Sequence, residues 1–109
     1  MDGSQLLKGV LEGCVLSIIS KGETYGYRII TQLEEYGFEK MLEGTLYPVL
    51  TRLEKRQAIN CRKEKSPLGP VRKYYSVTEK GIEELNCFHT SFKRITQAAM
   101  NVLEGNDER

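Results

Sequence analysis

Glu43-Gly44-Thr45-Leu46-Tyr47-Pro48-Val49-Leu50-Thr51-Arg52-Leu53-Glu54-Lys55-Arg56 reads as one helix with two unlike faces. Leu46, Val49, Leu50 and Leu53 recur at gaps of one and three, which gathers them into a single apolar stripe. Thr45, Pro48, Arg52 and Lys55 repeat at gaps of three and four on the other side, with Tyr47 and Thr51 alongside. Pro48 lacks a backbone donor and is tolerated only near a first turn, so the helix must begin shortly before it. A polar, basic face therefore opens at a helix N-terminus.

Two short extended runs follow that helix. Ile59-Asn60-Cys61-Arg62-Lys63-Glu64 and Val71-Arg72-Lys73-Tyr74-Tyr75-Ser76-Val77 are rich in β-branched and aromatic residues. Ser66-Pro67-Leu68-Gly69-Pro70 between them is a Pro/Gly turn, so the segment is a hairpin with a basic tip carrying Lys63, Lys65, Arg72 and Lys73. Tyr74 and Tyr75 point to opposite faces of a strand, so one belongs to the core and the other is free to reach outward. Pattern alone leaves open which is which.

On the N-terminal side, Leu6, Leu7, Val10, Leu11, Cys14, Val15, Ile18 and Ile19 lie along one side of a helix over residues 5–20, stopped by Gly22. A second helix is predicted from Thr24 or Tyr25 to Tyr36, with Thr24 as N-cap, Tyr25, Ile29, Ile30 and Leu33 turned inward, and Gly37 as terminator. On the C-terminal side Thr78 caps a long helix, and Glu79, Glu83 and Glu84 suit its positive end. Ile82, Leu85, Phe88, Phe92, Ile95, Ala99 and Val102 recur there at gaps of three and four over about three heptads, a seam that calls for a partner helix.

The order helix, helix, helix, basic hairpin, long helix predicts a mainly α fold: a winged helix-turn-helix with a two-stranded wing and a C-terminal dimerisation helix. Residues 1–77 form the DNA-binding domain in this division, 78–105 the dimerisation helix and 106–109 a frayed tail.

Charge is distributed unevenly along the chain. From Arg52 to Tyr75 there are eight cations against Glu54 and Glu64, whereas the rest of the chain has eight cations against thirteen acids. The formal net charge of +1 hides this segregation. A local basic patch steers a polyanion whatever the total charge, and duplex DNA fits best, because a helix enters the major groove while hairpin cations neutralise phosphates. A solvated charged surface is the bland alternative. A winged-helix adaptor that binds another protein without touching DNA is the competing functional one.

Other classes find little support. With 109 residues the chain is a single small domain, and no apolar run approaches the roughly 18 residues of a membrane span. No secretion pattern opens it, so a soluble cytoplasmic protein without membrane contact is expected. Cys14, Cys61 and Cys87 are odd in number and lack metal-ligand spacing, and His89 lies about 200° from Cys87 on a helix, so no metal is expected. Cys61, beside the cations of the hairpin, is a candidate for redox response. With one His, no nucleotide fingerprint and no placeable catalytic trio, neither enzyme activity nor a cofactor is expected. Glu34 with Glu35 and Glu83 with Glu84 read as solvated carboxylates on exposed helix faces.

Three blocks carry a family resemblance: Tyr25-Gly26-Tyr27-Arg28-Ile29, then residues 43–54 as quoted above, then Arg72-Lys73-Tyr74-Tyr75-Ser76-Val77-Thr78-Glu79-Lys80-Gly81. They resemble the signature blocks of the PadR family of bacterial transcriptional repressors, over roughly residues 7–103. The compact size is similar to the short, LmrR-like branch with a single C-terminal helix. The resemblance implies a homodimeric winged-helix repressor on a pseudo-palindromic operator, with ligands, where they exist, bound near the dimer centre. Carried onto this chain, it implies DNA contacts from Tyr25, Tyr27, Thr45, Tyr47, Pro48, Arg52, Lys55, Lys63, Lys65, Arg72 and Lys73. Tyr47 and Arg52 fall to the groove, and Lys55, the wing cations and the Tyr25 hydroxyl to the backbone. The dimer and effector surface falls to Leu6, Val10, Ile82, Leu85, Phe88, Phe92, Ile95 and Ala99. The chain has no Trp, so it lacks the aromatic pair with which the drug-binding branch sandwiches flat molecules, and Phe88 and Phe92 could stand in for it only partly. A small apolar or aromatic effector remains an open expectation.

Overall fold

The computed structural model describes residues 3–105, with side chains from Gln5 onward, so the tail expected at 106–109 lies outside the described residues. The helices are α1 (Gly3–Ser20), α2 (Gly26–Glu35), α3 (Glu43–Lys55) and α4 (Glu79–Leu103), and the strands β1 (Thr24–Tyr25), β2 (Ile59–Glu64) and β3 (Arg72–Val77). The apolar stripe of α3 is the centre of the core: Leu46, Val49, Leu50 and Leu53 are all buried. Leu11, Val15, Leu16 and Ile19 of α1, with Ile29, Ile30 and Leu33 of α2, close over them, and Ala58, Ile59 and Tyr75 seal the end nearest the sheet.

The sheet is antiparallel, in the order β1-β3-β2. Thr24 faces Tyr75 and Tyr25 faces Tyr74, so the wing gains a third, two-residue strand. This corrects the expectation that Thr24 caps α2: the N-cap is Tyr25, with no side-chain cap hydrogen bond, and Thr24 is buried in the sheet. Two residues are too few to show alternation, and only the approach of β3 gives them ladder partners.

Pro48 lies inside α3, which starts at Glu43 as the sequence predicts. It is the sixth residue of α3, a full turn deeper than a first-turn proline. Its ring removes the bond that would run to the Gly44 carbonyl, a cost of about 3 kcal/mol in a helix interior. Gly44 is exposed, so solvent can satisfy that carbonyl, and burial of four apolar side chains on the other face holds the helix together.

The join between α3 and α4 is tight. Gln57 adopts a left-handed φ of 65°, and the Ala58 N–H donates to the Leu53 carbonyl at 2.9 Å. The Thr78 hydroxyl donates to the Gln57 carbonyl and accepts from the Gly81 N–H at 2.9 Å, the predicted cap. Gly81 lies so close to the Ala58 carbonyl oxygen that a β-carbon there would collide with it. Beyond this anchor α4 leaves the core: among its residues only Gly81 is buried, while Ile95 is 58% exposed and Val102 79% exposed. Phe88 rests its ring on Gly13 of α1 and stacks on Phe92 at 5.5 Å.

Candidate nucleic-acid interface

The turn between α2 and α3 is stapled from within. Gly37 takes a positive φ of 118°, and the Glu34 carboxylate accepts the Met41 N–H at 3.0 Å. Glu34 is exposed, as its sequence context suggests, and it also ties down the helix-turn-helix. Held this way, α3 presents Gly44, Pro48, Thr51 and Lys55 along the middle of its outer face, all exposed. Thr45 and Arg52 lie toward the α1 edge of that face and Tyr47 toward the wing edge.

An open cleft of about 700 Å³ is lined by Tyr25, Gly26, Tyr27, Glu43, Tyr47, Val71, Arg72 and Lys73. The cleft runs between the beginnings of α2 and α3 and the start of β3. Gly26 leaves room for Tyr47 there, because a β-carbon would lie 2.7 Å from the Tyr47 hydroxyl oxygen and push that side chain aside. The outward face of the wing is an alternating stack. Arg72 sits 5.5 Å from the Tyr25 ring, Tyr25 meets Tyr74 edge-on at 5.8 Å, and Arg62 covers Tyr74 at 4.8 Å. The question of the two tyrosines is thereby decided. Tyr75 is 3% exposed, its hydroxyl pushed up to about 12 by burial, and Tyr74 is the outward one. Cys61 faces Tyr75 across the ladder and is partly buried against the core.

On the other face of the wing Lys63 stands directly opposite Lys73. Like charges in register repel, so this pair raises the local potential at the cost of some sheet stability. Lys55, Lys63, Lys65 and Lys73 are all exposed, and no carboxylate among the described residues forms an ion pair with them.

The arginines behave differently from the lysines. Arg52 donates from Nε to Glu12 of α1 at 2.6 Å, and Arg56 donates to the other Glu12 oxygen at 2.9 Å and also to Glu84 of α4. Burial pushes the Glu12 carboxyl up, but the hydrogen bonds and charges of Arg52 and Arg56 outweigh it and hold it below the ordinary value. Glu84 is half-buried in this bridge, not a free surface acid as its sequence context suggests. Arg62 is held by Glu23 and Glu64 at 3.0 Å, and its hydrogen bond lowers the Glu23 pKa. Three of the eight cations in the basic segment are thus partly neutralised by acids from elsewhere in the chain, leaving the lysines and Arg72 as the open positive groups. Sequence reasoning missed Glu12, Glu23 and Glu84, whose partners lie 28 to 44 residues away.

The residues assigned to a dimer surface form a separate, apolar region. Leu6 is 67% exposed on α1, Val10 is half-buried, and Ile82, Phe92, Ile95 and Ala99 are exposed along α4. Leu85 and Phe88 instead turn partly back toward the body. An apolar groove of about 310 Å³ between α1 and α2 is walled by Cys14, Ile18, Leu33, Tyr36 and Phe38. Among the described residues no group of His, Cys, Asp and Glu is placed to hold a metal, and no helix is long and apolar enough to cross a membrane.

A stapled helix-turn-helix, a hairpin wing beside it and a long C-terminal helix define a winged helix-turn-helix protein. The signature of the transcriptional regulator PadR-like family matches residues 15–87, and the chain belongs to that family, whose members regulate transcription and are not enzymes. It is similar to a PadR-like transcriptional regulator from Bacillus cereus strain ATCC 14579, with 46% identity, coverage of 94% of this chain and 99% of that one, and a TM-score of 0.80. An uncharacterized protein X from Lysinibacillus sphaericus is 33% identical over 110 residues, spanning 95% of this chain and all of that protein. The structure of Bacillus subtilis PadR in complex with operator DNA aligns with a TM-score of 0.66 at 28% identity, covering 72% of this chain and 46% of that one.

Proposed function

We propose that two copies of this chain pair through α4 and the outer side of α1, bind a pseudo-palindromic duplex operator and repress transcription by occupying a promoter. The observation that carries this reading is the set of exposed cations on α3 and the wing that no carboxylate among the described residues pairs with. Arg72 and Lys73 line the cleft at the start of α3, and Lys55 on α3 and Lys63 and Lys65 on the wing are exposed. In this reading Thr45, Tyr47, Pro48 and Arg52 face the major groove, Arg52 exchanging Glu12 for DNA. The lysines, with Tyr25 and Tyr27, contact the backbone. The complex of Bacillus subtilis PadR with operator DNA supports the choice of partner.

Leu6, Val10, Ile82, Phe92, Ile95 and Ala99 would be covered by the second copy, because an apolar stripe of this length is a liability in a monomer. A two-fold dimer sets the half-sites about one helical turn apart, or a multiple of it. Phe88 and Phe92, stacked at the inner end of that surface, offer a site for a small apolar or aromatic effector that releases the operator. Binding of duplex DNA, followed by fluorescence anisotropy at several salt concentrations, tests the reading. Contact with about five to ten phosphates gives a slope of log K against log salt of about −5 to −9. A slope near zero sinks it.

A further inference from the structure

Glu43 stands out among the groups that line the cleft. It is exposed at the first position of α3, beside Tyr47 one turn on, and Arg72 and Lys73 lie across the opening. It is the one carboxylate among the described residues lining this cleft, and it has no ion-pair partner among them, although arginines elsewhere on the molecule are paired with acids. An acid at the first turn suits the helix dipole, yet here it sits where a polyanion would approach. Next to phosphates it is repelled.

A carboxylate that descends into the major groove meets base edges instead, and being ionised it can only accept hydrogen bonds. Guanine offers N7 and O6, and thymine offers O4 and a methyl group, so neither gives it a donor. Adenine offers its N6 amino group but places the N7 acceptor beside it, against the second carboxylate oxygen. Cytosine offers the N4 amino group with no acceptor of its own alongside.

We infer that Glu43 is a specificity-determining residue that selects cytosine, through its N4 amino group, at one position of each half-site. This rests on the DNA-binding reading above and adds to it the base that one side chain reads. The surrounding cations bring the duplex in whatever its sequence, and Glu43 penalises half-sites that present guanine or thymine at that position. One well-formed contact of this kind discriminates by roughly 5- to 150-fold against the wrong base.

The test is selection of bound sequences from a randomised duplex pool by the wild-type protein, Glu43→Gln and Glu43→Ala, with circular dichroism confirming helix content. Both substitutions lie on an exposed position and leave the core untouched. Wild type is expected to enrich cytosine at one position per half-site. Glu43→Gln shifts that position toward adenine, whose N6 and N7 match a carboxamide. Glu43→Ala loses the preference there and keeps the others, while binding non-cognate duplex more tightly than wild type because one acid per subunit is gone. If wild type enriches a site and both variants retain the same base at every position, the inference is overturned and the DNA-binding reading stands. If wild type enriches no sequence, the DNA-binding reading falls and the inference with it.

Discussion

Glu12→Gln tests how the arginines of α3 are held. The substitution keeps the volume of the side chain and removes its charge, so Arg52 and Arg56 lose a shared carboxylate while Arg56 retains Glu84. The side chain of Arg52 is 52% exposed and that of Arg56 40%, which places both pairs in the weak, solvent-screened class worth about 0.2–1 kcal/mol each. The loss is therefore about 0.5–2 kcal/mol, or a fall in melting temperature of about 3–10 °C for a domain of this size. Protein concentration must be fixed, since dimerisation would couple to unfolding.

The pH dependence has a definite sign. The Glu12 pKa is depressed in the folded state relative to its ordinary value of 4.5, so its contribution is fully present above that value and is lost as pH falls through the folded one. The melting-temperature gap between wild type and Glu12→Gln is thus widest near neutrality and closes as pH drops below about 4.5. DNA binding moves the other way. With no Glu12 carboxylate to give up, Arg52 engages DNA without losing a counter-ion, so affinity for duplex DNA at fixed salt rises. A melting gap that is the same at pH 7 and pH 3.5, together with an unchanged DNA affinity, would refute the assignment of Glu12 as the counter-ion of α3.

Gly81→Ala forces a methyl group into the Ala58 carbonyl oxygen, which the buried α3–β2 turn cannot move aside, so urea unfolding should show a loss of about 1–3 kcal/mol. Lys63→Ala and Lys73→Ala, alone, each flatten the salt slope of DNA binding by about one per subunit. Either also relieves the cross-strand repulsion, so melting temperature holds or rises slightly, and a drop of several degrees would contradict the register. Ile95→Glu places a charge on the exposed seam of α4, where it cannot disturb the core of one chain; sedimentation should show monomers, and unaltered dimers would rule out this surface as the contact.

Much of the architecture was legible in the linear pattern because it depends on local physics. The period of Leu46, Val49, Leu50 and Leu53 defines the buried face of α3, Thr78 announces the start of α4, and Pro67 to Pro70 breaks the chain into a hairpin. Where the pattern was too short, it misled: Thr24 joined the sheet instead of capping α2. The clustering of cations along the chain was plain, but it exaggerated the charge of the surface, because Glu12, Glu23 and Glu84 return from distant segments to pair with three of the arginines.

Residue order by itself determined the helices, the hairpin, the seam on α4 and the membership of the basic segment, since propensity, capping and periodicity act over a few neighbouring residues. Tertiary structure alone decided which cations stay open to a polyanion, that Tyr75 is core and Tyr74 outward, and that Glu43 stands unpaired in a basic cleft. Those outcomes depend on which distant groups come within a few ångströms of one another, and electrostatic pairing falls off too steeply with distance for sequence spacing to reveal it.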